Sequence, residues 1–246
     1  MRRALVVMLG LLVVSAFASA QEEPKVKPEA EEVSLPDPVE LLKKTDAAAK
    51  AVKLVKYDFS FEPTGSQAAN LGKAEGTVYL SGWAGNDAEK SRCEAKVSIP
   101  RSSDVHDVVV GNNGKMLFVI DNRAKTVQQN VSELRMSWVP RTAWGLRVLE
   151  FVHPTPFSDE INAKNHVLKG STKIGDEDCY EISLDYNTTP PQSVVWVVSK
   201  KDFLPRAVER FTAGGSLKWT ISNVVVDPKL EKDPFVLVVP EGYTKK

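Results

Sequence analysis

The residues able to do chemistry are few and scattered. His106, His153 and His166 are the only histidines, and none pairs at H-x-x-H or H-E-x-x-H spacing. There is no C-x-x-C, so a metal site has no local signature. G-x-S-x-G, G-x-x-x-x-G-K-[ST] and G-x-G-x-x-G are all missing. The acidic run Asp176-Glu177-Asp178 follows Gly175 and reads as a solvated turn. Asn130-Val131-Ser132 and Asn187-Thr188-Thr189 match glycosylation acceptors, which matter only in a eukaryotic secretory route. No nucleophile, base and orienter can be assembled from these residues. The sequence therefore predicts a binding protein, with no catalysis, no metal and no cofactor.

The amino end predicts export. "MRR" is a basic n-region, "ALVVMLGLLVV" an apolar run, and Ala18-Ser19-Ala20 a small-residue cleavage site. This is the pattern of a Sec-type signal peptide over residues 1–20, too short to span a bilayer as a helix. Cleavage near Ala20 and release into the periplasm are expected. Losing Arg2 and Arg3 leaves 30 basic against 32 acidic residues. No basic field exists to gather phosphate, so nucleic acid is not an expected partner. Cys93 and Cys179 are the only cysteines. Export permits a disulfide between them, which would add roughly 4–5 kcal/mol in the chain-entropy model. The alternative is two small buried hydrophobes in separate strands.

Residues 21–36, "QEEPKVKPEAEEVSLP", are charged, Pro-containing and poor in apolar groups, the composition of a disordered linker. Residues 37–246 form the folded domain. Asp37 can cap a helix, Pro38 suits its first turn, and the spacing predicts a helix over about 38–53. From Tyr57 the period becomes two. Tyr57, Phe59 and Phe61 alternate with Lys56, Asp58, Ser60 and Glu62. Strands are predicted near 75–83, 90–99, 105–121 (a hairpin about Asn113-Gly114) and 125–130. The rhythm breaks at a helical insert over about 132–152, divided near Pro140, with Trp144, Val148, Leu149 and Phe151 as its apolar stripe. "HPTPFSDE" then reads as a Pro-rich loop. Strands resume near 163–173, 178–186, 193–199, 205–213, 216–226 and 235–239.

The fold class is mainly β: a half-open, strongly curved antiparallel barrel of about 10–11 strands, with helices across its open side. Tyr57, Phe59, Phe61, Tyr79, Phe118, Trp196 and Trp219 alternate along these strands. They either fill a core or, with Trp144 of the insert, line an apolar cavity; a barrel wider than about eight strands leaves room for a ligand.

Several segments in combination resemble the periplasmic lipoprotein carrier (LolA-like) superfamily. "EGTVYLSGW" followed by Arg92 is similar to its first hairpin and arginine-bearing strand. "VVVGNNGKMLFVIDNRAKTV", "KIGDEDCYEISLDY", "VVWVVSKKDFLPRAVERF" and "ISNVVVDPKLEKDPFVLVVPEGY" resemble successive later hairpins and the closing segment. Together they span roughly 37–244. The resemblance implies an incomplete barrel lidded by helices, whose cavity shields the acyl chains of lipoproteins or lipids. It implies a monomeric carrier or chaperone that meets a membrane-protein donor or acceptor. Arg92 stands where the family places a lid contact, although here it follows Ser91, without the family's aromatic neighbour and prolyl lead-in. A lipid-sensing or protein-interaction module of the cell envelope is the competing expectation.

Overall fold

The structure is a computed structural model, and it describes residues 35–82, 89–190 and 192–246. The signal peptide, nearly all of the 21–36 segment, and Trp83 at the end of "EGTVYLSGW" lie outside the described residues.

Helix α1 (Pro38–Lys50) starts as its sequence requires. The Asp37 carboxylate accepts a hydrogen bond from the Val39 N–H at 2.7 Å, and Pro38 occupies the first turn. Leu41, Leu42, Thr45 and Ala49 form its buried face. Eleven strands follow: β1 (Leu54–Pro63), β2 (Ala74–Ser81), β3 (Lys90–Ser98), β4 (Val105–Asn112), β5 (Leu117–Asp121), β6 (Thr126–Gln129), β7 (Lys164–Ile174), β8 (Glu177–Tyr186), β9 (Gln192–Ser199), β10 (Pro205–Thr212) and β11 (Gly215–Val226). Helices α2 (Trp138–Gly145) and α3 (Ser158–Ile161) lie between β6 and β7. A two-residue β12 (Thr244–Lys245) ends the chain.

All twelve strands join one sheet, in the order β12-β6-β5-β4-β3-β2-β1-β11-β10-β9-β8-β7. Each neighbouring pair is antiparallel except β12 with β6. Two meanders therefore meet where β1 pairs with β11, and the sheet is curved but not closed. This is the half-open barrel expected from the alternating pattern, with short turns between successive strands.

One face carries the main core. Tyr57, Phe59 and Phe61 of β1, Val78 and Leu80 of β2, Cys93 and Val97 of β3, Trp196 of β9 and Ile221 of β11 are all buried in it. The same core holds Leu41 and Leu42 of α1 and Ala143 of α2. The helices thus cover the concave side, where the sheet alone would expose its aromatics.

The other face carries two smaller clusters. Val109, Phe118, Ile120 and Val127 of β4–β6 pack under Leu237, Val239 and Tyr243 of the closing segment. Gly111 makes room there: a Cβ on it would sit 2.3 Å from the Phe118 ring across the β4–β5 pair. Cys179, Val197 and Ala207 form the second cluster. The 235–239 strand expected from the sequence is absent. That segment instead lies across the outer face, with Phe235 buried and Val236 and Val238 turned to solvent. The chain reaches the sheet again only at β12, beside β6.

Candidate functional site

The concave face is built around β1. Its alternation sends Tyr57, Phe59 and Phe61 inward, and the β1–β11 register sets Phe61 opposite Trp219 and Phe59 opposite Ile221. The Phe61 and Trp219 rings meet at 4.9 Å. Two strands along the same face, in line with Trp219 through Val208 of β10, Trp196 of β9 is fully buried.

Two aromatics from the segment between β6 and β7 pack onto this face. Phe151, in a 3₁₀ turn over Leu149–Phe151, stacks on Tyr57 with ring centroids 5.1 Å apart. Phe157 meets Trp196 edge-on at 5.0 Å. Both phenylalanines are fully buried. The insert is therefore a plug as well as a cover, and the closed interior is lined and filled by the same chain.

Few polar contacts fix the plug. The Tyr57 hydroxyl accepts a hydrogen bond from the Val148 N–H at 2.9 Å, and burial holds that phenol far above its ordinary value. Arg147 stacks on Trp144 with its guanidinium carbon 3.2 Å from the ring centre. It donates to Glu89 at 2.8 Å, to Ser91 at 2.9 Å and to the Trp144 carbonyl at 2.7 Å. Burial pulls its guanidinium below the ordinary value, and the Glu89 carboxylate opposes that shift. Arg210 of β10 pairs with Glu150 at 2.9 Å. Glu160 of α3 is buried, and its carboxylate accepts from the Tyr186 hydroxyl at 2.5 Å. Burial raises the Glu160 carboxyl, while that hydrogen bond works in the other direction.

Tyr57, Phe59, Phe61, Trp196 and Trp219 gather on this face, and Trp144 packs at its margin. Three other expectations are corrected. Phe118 belongs to the outer cluster under the closing segment, because its place in β5 points it away from Val119. Tyr79 is half-buried between the inward Val78 and Leu80, with the Lys56 ammonium 5.6 Å above its ring. Arg92 reaches no lid helix: it pairs with Glu94 at 2.6 Å and donates to the Pro234 carbonyl at 3.3 Å, tying down the closing segment. Alternation explains Arg92, since its neighbours Ser91 and Cys93 take the inward positions. The arginines that join insert to barrel are Arg147 and Arg210.

Cys93 and Cys179 are unbonded thiols. Cys93 faces the main core and Cys179 the opposite side, with five strands between theirs in the sheet. A disulfide needs Cα atoms within about 7 Å and converging Cβ vectors, so the pairing does not form. Burial pushes the Cys93 thiol up to about 12.

The residues missed in the sequence are Arg147, Phe157, Glu160 and Tyr186. Phe157 sits in the Pro-rich stretch that reads as a loop, although "SDEI" after it forms a short helix. An isolated aromatic in such a loop was the available signal.

No family model matches the chain, and no curated protein matches it in sequence. Solved structures do. LprF from Mycobacterium bovis superposes with a TM-score of 0.54 at 9% identity, over 82% of this chain and 99% of that one. MucB superposes with a TM-score of 0.50 at 10% identity, over 83% of this chain and 64% of that one. At such identities the likeness speaks for architecture alone. The inward-facing aromatic sheet, the helical cover and these superpositions together give the chain a half-open barrel fold of the kind seen in LprF and MucB.

Proposed function

We propose that this chain is an exported, monomeric periplasmic protein that binds the acyl chains of lipoproteins or lipids on its concave face. It acts as a carrier or chaperone, without catalysis, and meets a membrane-protein donor or acceptor. The observation that carries this reading is the plug. The large aromatics of the sheet are covered by Phe151 and Phe157 of an insert with a handful of polar ties. An acyl chain can exchange with these rings like for like. Re-exposing two phenylalanine side chains costs about 3–6 kcal/mol, whereas a dozen newly buried methylenes contribute about 10 kcal/mol. The balance favours a lipid over an open, wet cavity, and it lets the returning insert drive release.

The export signal read from the first twenty residues supports the location. No helix among the described residues is long and apolar enough to cross a membrane.

The test is native mass spectrometry of the chain recovered after export, followed by solvent extraction of anything bound. A discrete lipid mass, diminished in a folded Phe59→Asp variant, supports the reading. A chain that arrives empty and takes up neither added lipid nor an acylated peptide sinks it, leaving the envelope sensor or interaction module to be sought through a protein partner.

A further inference from the structure

Beyond the Arg147 and Tyr57 contacts, the concave interior holds a further polar point. There Tyr186, at the end of β8, directs its hydroxyl to the Glu160 carboxylate of α3 at 2.5 Å. Beside it lies Trp196, whose ring is fully buried. Its indole N–H neighbours the Tyr186 hydroxyl but falls outside hydrogen-bond geometry with it. Among the described residues, Trp196 Nε1 is the one buried side-chain polar atom without a hydrogen-bond partner. An orphaned buried donor costs about 1–3 kcal/mol, so a well-packed interior keeps one only for a reason.

The surroundings of Glu160 sharpen the point. His166 of β7 donates through Nε2 to the Glu160 main-chain carbonyl at 2.7 Å, which fixes the backbone of α3 and leaves the side chain aside. Glu150 and Arg210 form their own pair nearby. Among the described residues, Tyr186 is the barrel side chain that hydrogen-bonds the carboxylate. Glu160 also sits on the insert, the part that must move if an acyl chain is to enter.

We infer that Tyr186 and Trp196 form a two-donor anchor for the carbonyl oxygen of a bound acyl ester or amide, and that Glu160 occupies this anchor as an internal stand-in while the chain is closed. The inference rests on the acyl-binding reading of the concave face. When α3 leaves, the Tyr186 hydroxyl loses its acceptor, and the unpartnered Trp196 N–H lies beside it. Two neighbouring donors can share a single carbonyl oxygen, which has two lone pairs. A neutral carbonyl suits it better than a carboxylate, because the burial that raises the Glu160 carboxyl would penalise any anion there. The rest of the acyl chain would lie along the aromatics that Phe151 and Phe157 now cover.

The experiment titrates the exported chain by native mass spectrometry with methyl laurate and with dodecyl methyl ether, which share a carbon count but differ in the carbonyl. Glu160→Ala vacates the anchor; Glu160→Met does so while keeping the volume, should the alanine variant loosen α3. In either vacated chain the ester binds roughly tenfold more tightly than the ether, as one good hydrogen bond allows. Adding Tyr186→Phe or Trp196→Phe abolishes that preference. Equal binding of ester and ether by the vacated chains overturns the anchor and leaves acyl binding standing. Failure of every variant to bind either probe removes the acyl-binding reading itself, and the anchor with it. Laurate ion at neutral pH binds more weakly than the ester; tighter binding of the ion overturns the assignment to a neutral carbonyl.

Discussion

Strand β8 is tied at both ends by a carboxylate, and the two ties differ in kind. At its start, Glu177 grips Arg206 through both carboxylate oxygens, at 2.6 and 2.9 Å. Asp202 holds the same guanidinium at 2.6 Å, and Ser199 donates to Glu177 at 2.5 Å. The Arg206 hydrogen bonds hold the Glu177 carboxyl below its ordinary value. At the other end, Tyr186 meets Glu160, which makes no salt bridge among the described residues and is pushed toward its neutral form by burial. The first tie joins strands β8 and β10 through the tight corner between β9 and β10. The second joins the barrel to a four-residue helix of the insert. A redundant, charge-assisted network suits a permanent brace, and a single neutral-leaning contact suits a part that leaves.

The largest expected effect comes from breaking the plug. Phe157→Ala removes a fully buried ring from its contact with Trp196, and unfolding by denaturant should register a loss of about 3–4 kcal/mol. A loss under about 1 kcal/mol would mean that the insert contributes little to the closed state.

Next is the brace. Arg206→Met should cost about 2–3 kcal/mol, below the range for a fully buried ion pair, because Glu177 and Asp202 keep side-chain exposures of 30% and 37% and regain water. Equal stability would place this corner among networks that specify geometry without stabilising the fold.

The pH dependences should run in opposite directions. Glu177 is depressed in the fold, so its contribution is present above the unfolded value near 4.5 and is lost as pH falls through the lower folded value. Glu160 is raised, so the unfolded chain ionises first as pH climbs past about 4.5 and the fold loses stability until the raised value is passed. Thermal melts of Glu160→Gln should therefore gain a few degrees at pH 7 and nothing at pH 4, about 1 kcal/mol in a chain of this size. Glu177→Gln should lose stability at pH 7, and the deficit should shrink at pH 3. Parallel profiles for the two variants would erase the distinction between brace and latch.

The smallest effect is expected at the rim. The Arg210 side chain is 45% exposed in its pair with Glu150, and Arg210→Ala should change stability by less than about 1 kcal/mol, less still in high salt.

Most of the strands, and the alternation of their faces, are legible in the sequence alone. Period-two alternation in β1 and β3 is a local property, and a residue's side of the sheet follows from counting once one neighbour is known to be buried. Asp37 and Pro38 likewise begin α1 where a local rule puts a helix start. The tertiary structure decided what local counting cannot reach. Phe118 and Phe59 obey the same alternation, yet the closing segment covers one face over β4–β6 and the helices cover the other, so both are core. Val236 and Val238 have strand-like composition, but no strand edge is open to them there. Phe157 and Glu160 lie in a stretch that reads as a loop and become the plug and the latch because β8 and β9, far along the chain, bring Tyr186 and Trp196 to meet them. Burial and partnership are set by such distant contacts, and they separate a wall residue from an anchor.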